Sequence, residues 1–194
     1  MIIDVSKWQG KIDWKKVKQN HPEIEGVYIK ASEGIGYTDP KMTINAVEAT
    51  KNGFKVGFYH FSSLNSAEVT NDAKTEAKYF VTVTKNLTKS LPYVLDIEKN
   101  INKLPKDKVL LWIKEFFKEL EFLGVNEYWL YSYSPFLNEN LPINHGLGNI
   151  PLWIADYSEP LVLPKGWTKP VLWQYTSKGS INGIIGNVDL NKKV

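Results

Sequence analysis

The apolar residues of this chain follow two alternating patterns over its first two thirds. Runs rich in β-branched and aromatic residues predict five strands. These runs are Ile2–Val5, Val27–Ala31, Val56–Phe61, Pro92–Glu98 and Tyr128–Tyr133. Between them the apolar positions recur with a helical period. Helices are therefore predicted to begin near Trp14, Asp39, Ser66 and Pro105, with a further helical turn after Pro135.

The last third of the chain has no helical period. Three more strands are predicted there, at Leu152–Asp156, Val171–Tyr175 and Ile184–Leu190, and the loops between them are rich in proline and glycine. Five strand–helix units followed by three bare strands give eight strands, enough to close a barrel. At 194 residues the chain is just under the usual size of a complete eight-helix barrel. We therefore predict an α/β fold, an irregular TIM-like barrel, formed by one domain spanning residues 1–194.

Composition narrows the possible functions. Lys and Arg (24) nearly balance Asp and Glu (21), and a net charge of +3 does not favour nucleic acid or an anionic membrane as partner. There is no cysteine, which excludes disulfides and thiolate chemistry. No run is long enough to predict a membrane span. The first apolar run meets Asp4 with no basic leader before it, so no signal peptide is visible.

The most informative segment is the fourth strand, which ends in two carboxylates one residue apart, Asp96 and Glu98. Alternate strand residues point the same way, so both side chains leave one face of the sheet. Neighbouring carboxylates cannot both ionise freely, and one pKa is raised. A proton donor beside a stabilising charge is what glycosidic bond cleavage requires. The alternative is a strand end that simply enters solvent.

A barrel would bring further polar residues to the same place, because catalysis in such barrels occurs at the C-terminal strand ends. Closure sets the first strand beside the eighth, which predicts that Asp4 and Asp189 come together. The polar residues at the predicted strand ends are Asp4, Lys30, Tyr59, His60, Asp96, Glu98, Tyr131, Asp156 and Asp189.

Seven short motifs occur in an order that resembles glycoside hydrolase family 25. Each motif is weak evidence alone, but the seven together in this order are strong evidence. This family comprises the Chalaropsis-type lysozymes, which are common as phage endolysins and bacterial autolysins. The motifs are Asp4–Gly10, Tyr28–Gly34, Gly57–Phe61, Leu95–Glu98, Leu152–Tyr157, Trp173–Thr176 and Val188–Asn191. The resemblance implies a lysozyme that hydrolyses the β-1,4 bond between N-acetylmuramic acid and N-acetylglucosamine in peptidoglycan, with no metal or cofactor.

The resemblance also implies roles for the acids. Glu98 matches the general acid/base, and Asp96 matches the residue that orients the 2-acetamido group and stabilises an oxazolinium-like intermediate. Asp4 and Asp189 would help to keep Glu98 protonated. The sugar's own carbonyl oxygen would then be the nucleophile, with retention of configuration. Direct attack by Asp96 on C1, the ordinary retaining route, remains open at this stage.

Substrate-binding roles are expected for five more residues. Tyr59 is a hydrogen-bond donor near the acetamido group or a core residue, and Trp153 and Tyr131 offer aromatic faces to the sugar. Lys30 is expected in the barrel mouth, paired with an acid, and Asp156 ends a strand there. Three nearby residues are given no role in catalysis. Trp8 is expected in the core, with stacking on a sugar or closure of the barrel mouth as the alternative; His60 is expected to be structural and Glu33 to lie in a loop.

Two other functions compete with the lysozyme hypothesis. The four acids could form a divalent-metal site of a phosphodiester hydrolase, although phosphate-binding glycine-rich loops are absent. The chain could instead be a non-catalytic wall-binding module, although such a module has no need of the repelling carboxylates. The lysozyme hypothesis predicts bacterial peptidoglycan as partner, a monomer, and action at the cell wall after release from the cytoplasm by a holin or by lysis.

Overall fold

The computed structural model describes residues 1–194 and contains nine strands and five α-helices. The strands are β1 (Ile2–Val5), β2 (Gly26–Glu33), β3 (Tyr37–Thr38), β4 (Lys55–Ser62), β5 (Tyr93–Ile97), β6 (Tyr128–Tyr133), β7 (Leu152–Ala155), β8 (Leu172–Gly179) and β9 (Val188–Lys193). The helices are α1 (Trp14–Asn20), α2 (Met42–Lys51), α3 (Val69–Thr84), α4 (Lys106–Phe122) and α5 (Ser134–Asn140), with a 3-10 turn at Lys7–Gln9. No helix has the length and apolar character that a membrane crossing requires.

Eight of the strands close into a barrel, in the order β1-β2-β4-β5-β6-β7-β8-β9 and back to β1. Every neighbouring pair is parallel except those of β9, which runs antiparallel to both β8 and β1. The two-residue strand β3 pairs with the end of β2 and lies outside the barrel. The predicted α/β barrel of eight strands, with helices only in its first two thirds, is thereby confirmed.

Several predicted boundaries differ from the observed ones, and two of them have a clear local cause. The last strand begins at Val188 and not at Ile184, because the chain first makes a turn in which the Ile184 amide donates to the Ile181 carbonyl at 2.9 Å. Helix α2 begins at Met42, since the Asp39 carboxylate does not cap its first turn. It accepts instead from the backbone amides of Lys41 and Lys7, at 2.8 and 2.9 Å, and so fastens two loops together.

The interior of the barrel is filled by a small aromatic cluster that forms the floor beneath the site. The ring of Trp153 packs between those of Tyr28 and Tyr131, with centroids 4.8 Å from each. Tyr28 fits because Gly57 lies on the neighbouring strand. A Cβ atom added at Gly57 would lie 2.3 Å from the Tyr28 ring. The floor is thus rigid and closely packed.

A larger core fills the space between the barrel and its helices. His60 lies in this layer and is completely buried. Its ring contacts the Ser32 hydroxyl at 2.8 Å and the buried Glu76 carboxylate of α3 at 2.7 Å. It also stacks on Phe116 of α4. His60 therefore faces the helices while its neighbour Tyr59 faces the barrel mouth, as their adjacent strand positions predict.

Candidate active site

A cavity of about 230 Å³ opens at the end of the barrel where the parallel strands terminate. Four of its lining residues are carboxylic acids, and the others supply aromatic rings, hydroxyls and one amide. The full set is Asp4, Tyr59, Asp96, Glu98, Tyr131, Trp153, Tyr157, Gln174 and Asp189. Barrel closure thus brings together acids that lie up to 185 positions apart in the sequence (189 − 4).

Asp4 and Asp189 form the first pair of acids, and they lie directly opposite each other in the β1–β9 register. Asp189 lies near the start of its strand rather than the end, and it reaches the mouth because β9 runs antiparallel. Burial raises the pKa of Asp4 well above its usual value, and the nearby Asp189 charge adds to this rise. Hydrogen bonds to Asp4 Oδ2 from Asn191 at 2.8 Å and Gln174 at 3.1 Å act in the opposite direction.

Asp96 and Glu98 form the second pair, at the end of β5. Burial raises the pKa of Asp96 well above its usual value, and the Glu98 charge raises it further. Burial also raises the pKa of Glu98, which is the more exposed of the two. Its main chain is fixed, because its carbonyl accepts from the Tyr133 hydroxyl at 3.2 Å. Asp96 Oδ1 is buried without a hydrogen-bond partner.

A side-chain amide organises the wall opposite these acids. Gln174 Oε1 accepts from the hydroxyls of Tyr131 at 3.0 Å and Tyr157 at 2.8 Å, while its Nε2 donates to Asp4. Trp153 Nε1 donates to Asn191 Oδ1 at 2.7 Å, which orients the Asn191 amide toward Asp4. The aromatic side chains and the Asp4 carboxylate therefore belong to one hydrogen-bonded network.

Of the five expected substrate-binding residues, Tyr59, Tyr131 and Trp153 line the cavity and Lys30 and Asp156 do not. Lys30 pairs with Glu33 at 2.6 Å, and its charge lowers the pKa values of Asp96 and Glu98 against the effect of burial. Glu33 is the last residue of β2, not a loop residue. The Asp156 carboxylate instead accepts from Ser158 and from the Val162 amide, so it shapes the loop after β7.

The comparisons with known proteins agree with this geometry. A profile of the family described as Glycosyl hydrolases family 25 matches residues 3–184. The chain belongs to this family. It is 32% identical over 196 residues to the autolytic lysozyme of Clostridium acetobutylicum, covering 98% of this chain and 54% of that protein. It is also 32% identical over 201 residues to lysozyme M1 of Streptomyces globisporus, covering 98% of this chain and 66% of that protein.

The chain thus spans about half to two thirds of the length of these two relatives. Among solved structures, the bacterial lysozyme of Streptomyces coelicolor superimposes with a TM-score of 0.85 at 29% identity. That match covers 98% of this chain and 90% of the other. The resemblance to family 25 inferred from the seven motifs is confirmed.

Three residues of the network around Asp4 were not predicted from the sequence, and Trp8 does not lie where it was expected. Gln174, Tyr157 and Asn191 all lie within motifs that carried the family resemblance, but neutral amides and a loop tyrosine have no chemistry that distinguishes them in isolation. Trp8 was expected in the core and is 80% exposed. The Ser6 hydroxyl accepts from the Trp8 amide and starts a 3-10 turn, which directs the indole outward.

No group of three or more His, Asp or Glu side chains is arranged to hold a metal ion. The acids instead form two pairs with raised pKa values, surrounded by neutral hydroxyl and amide groups. Such an arrangement retains protons that isolated carboxyls would have lost near neutral pH. It is suited to general acid/base chemistry on a neutral polar substrate.

Proposed function

We propose that the protein is a lysozyme that acts on the bacterial cell wall by cleaving the β-1,4 bond between N-acetylmuramic acid and N-acetylglucosamine in peptidoglycan. Membership of family 25 and the lysozyme names of its relatives support this substrate. The paired carboxyls in an aromatic-lined cavity support the chemistry. The observation that carries the proposal is the unpartnered, buried Asp96 Oδ1 beside the half-buried Glu98.

Glu98 is the general acid and base in this proposal. Burial raises its pKa, although a hydrogen bond with Asp96 acts in the opposite direction. The proposal requires that the proton of this coupled pair resides on Glu98 when substrate is bound, so that Asp96 carries the negative charge. It donates this proton to the glycosidic oxygen as the bond from that oxygen to C1 breaks. The resulting carboxylate then takes a proton from the water that attacks C1. The acid form is thereby restored at the end of each cycle.

Asp96 stabilises the intermediate. A buried carboxylate oxygen without a donor is costly, so Asp96 Oδ1 is suited to receive a donor from the substrate. The N–H of the 2-acetamido group is such a donor. Its carbonyl oxygen attacks C1 as the leaving group departs, and this forms a cyclic oxazolinium ion whose positive charge Asp96 offsets. Water later displaces that oxygen from the same face as the leaving group, which gives retention.

The remaining lining residues hold this arrangement in place. The Asp189 charge raises the pKa of Glu98. The hydroxyls of Tyr59 and Tyr131 stay protonated, because burial and the neighbouring carboxylates raise their pKa values well above the usual range. The Tyr59 hydroxyl can therefore donate a hydrogen bond to the sugar, whereas the Tyr131 hydroxyl already donates to Gln174 and can accept one from the sugar. Trp153, buried in the floor, supports Tyr131 and shapes the bottom of the cavity.

The test is a turbidity assay on purified peptidoglycan with analysis of the new reducing ends. A muramidase leaves N-acetylmuramic acid at each new reducing end, and the anomer formed first reports whether configuration is retained. New reducing ends of N-acetylglucosamine, or no cleavage at all, would contradict the proposal. Gel filtration of the same protein tests the expectation that it is a monomer.

A further inference from the structure

A second cavity, of about 310 Å³, opens at the same end of the barrel as the four acids. It lies above the ends of β1, β2 and β4, and its lining includes Lys7, Glu33, Ile35, Tyr37, Ser63 and Asn65. Lys30 connects the two cavities, because it pairs with Glu33 in the second and its charge acts on Asp96 and Glu98 in the first. The second cavity therefore adjoins the proposed cleavage site.

The second cavity contains one ammonium group that forms no ion pair, that of Lys7. Lys30 neutralises Glu33 at 2.6 Å. The other nearby acid, Asp39, is buried, and both of its oxygens accept backbone amides. Lys7 forms no ion pair of its own, although a hydrogen bond with Tyr37 and the more distant charges of Asp39 and Glu33 raise its pKa. The ammonium is held between two aromatic rings, 5.1 Å from the Trp8 centroid and 5.2 Å from the Tyr37 centroid. These cation–π contacts position the charge without neutralising it.

The different charged groups that the two cavities expose indicate what each one binds. The first concentrates carboxyls, so it excludes anionic groups and suits the neutral sugar ring. The second offers an unpaired ammonium together with the polar side chains of Ser63 and Asn65. If the proposed function is correct, the substrate also carries an anionic branch, because each muramic acid has a 3-O-lactyl group. That group ends in a carboxylate or continues into a peptide bearing carboxylates.

We propose that the second cavity binds the carboxylate of this lactyl or peptide branch, with Lys7 as its ion-pair partner. This inference rests on the proposed function. Lys7 is then a specificity residue that distinguishes muramic acid polymers from chitin, which has no such branch. It acts on binding and takes no part in bond cleavage.

The test compares Lys7→Met with Lys118→Met, on glycan strands that retain their peptides and on strands stripped of them. Methionine keeps most of the aliphatic length and removes the charge. Lys118 is an exposed lysine of α4 with no ion pair, so its substitution changes the net charge equally. Because an exposed ion pair contributes little binding energy, we expect Lys7→Met to lower kcat/KM by about fivefold. The loss should appear as a higher KM, with kcat nearly unchanged. Lys7→Arg should restore most of the loss, and added salt should reduce the difference.

The two substrates identify the source of the carboxylate. A loss confined to peptide-bearing strands assigns it to the peptide, and a loss confined to stripped strands assigns it to the lactyl group. Equal kinetics for Lys7→Met and Lys118→Met on both substrates would overturn the proposal, as would a loss in kcat alone.

Failure of the proposed function is distinguishable from failure of this inference. If the wild-type protein cleaves neither substrate, binding of N-acetylmuramoyl-L-alanyl-D-isoglutamine is measured by NMR titration. Binding that weakens in Lys7→Met but not in Lys118→Met would still support the anion site. Identical binding by both variants would refute it.

Discussion

Replacing Glu98 by glutamine separates catalysis from folding more cleanly than any other change in the cavity. Glutamine keeps the shape of the side chain but can neither donate the acid proton nor accept one from water. The contact that fixes Glu98 uses its backbone carbonyl, which accepts from Tyr133, so it survives the substitution. The new amide can also donate to the Asp96 carboxylate beside it.

The expected loss of activity is a hundredfold or more. Loss of one general acid typically costs about 10²–10⁴ in rate. At about 1.4 kcal/mol per factor of ten, this corresponds to at least ~2.8 kcal/mol of transition-state stabilisation. Any residual rate should no longer fall as pH rises through the pKa of Glu98, because the group whose deprotonation causes that fall has been removed.

Stability should change in the opposite direction. Burial raises the pKa of Glu98, so the folded state holds the proton more tightly than the unfolded chain. Stability is therefore lost as pH rises from the unfolded pKa, about 4.3, through the raised folded value. Glutamine does not ionise and removes this loss. Thermal unfolding of Glu98→Gln should therefore occur at an equal or higher temperature than wild type at pH 7, with the difference shrinking toward pH 4.

The assay is the initial rate of peptidoglycan clearance, with circular dichroism to verify the fold. Glu139→Gln is the matched control, since Glu139 is exposed on α5 and makes no ion pair. It should retain wild-type activity. A correctly folded Glu98→Gln protein that keeps more than about a tenth of the wild-type rate would refute the role assigned to Glu98.

Three further predictions concern mechanism, metal and the core. Asp96→Asn should lower kcat steeply with little change in KM, because the charge it offsets develops only in the transition state; a sugar trapped on Asp96 by mass spectrometry would instead establish direct attack. Exhaustive EDTA treatment should leave hydrolysis unchanged, and activity restored by Mg²⁺, Mn²⁺ or Zn²⁺ would favour the phosphodiesterase alternative. His60→Phe should lower the free energy of unfolding in urea by about 3 kcal/mol, because it leaves the buried Glu76 carboxylate unpaired. Glu76→Gln keeps a hydrogen-bonding group opposite His60 and should cost much less; equal losses would contradict this explanation.

The features that sequence predicted best are those encoded in short segments. Asp96 and Glu98 follow an apolar run, and their two-residue spacing alone places both on one face of a strand. Counting strands then predicted the closed barrel and the meeting of Asp4 with Asp189. The direction of β9 was not predicted. The strand reverses because the chain turns after Ile181. The sequence hides this turn, because the apolar residues Ile184 and Ile185 within it look like the start of a strand.

Residues whose roles depend on distant partners could not be predicted from their own surroundings. Gln174 becomes part of the site only because two tyrosines and Asp4 converge on its amide. Asp156 directly follows a parallel strand, as Glu98 does, yet the amides of its own loop bind its carboxylate. The sequence pattern therefore predicts which residues lie at the barrel mouth, while the hydrogen bonds of the folded chain, local as well as distant, decide which of them remain available to a substrate.

Like charges placed directly opposite each other on neighbouring strands destabilise a sheet, and this barrel contains such a pair in Asp4 and Asp189. Two amides, from Asn191 and Gln174, donate to Asp4 and offset part of this cost, while burial keeps the pKa values of both acids raised. A purely structural barrel would gain stability by replacing either acid with an apolar residue. The cost of this pair is understandable if its negative charge acts on a third group. The Asp189 charge does contribute to the raised pKa of Glu98. If Glu98 is the acid that we propose, the electrostatic cost of the Asp4–Asp189 pair is offset by a function, because the Asp189 charge adds to the effect of burial on the Glu98 pKa.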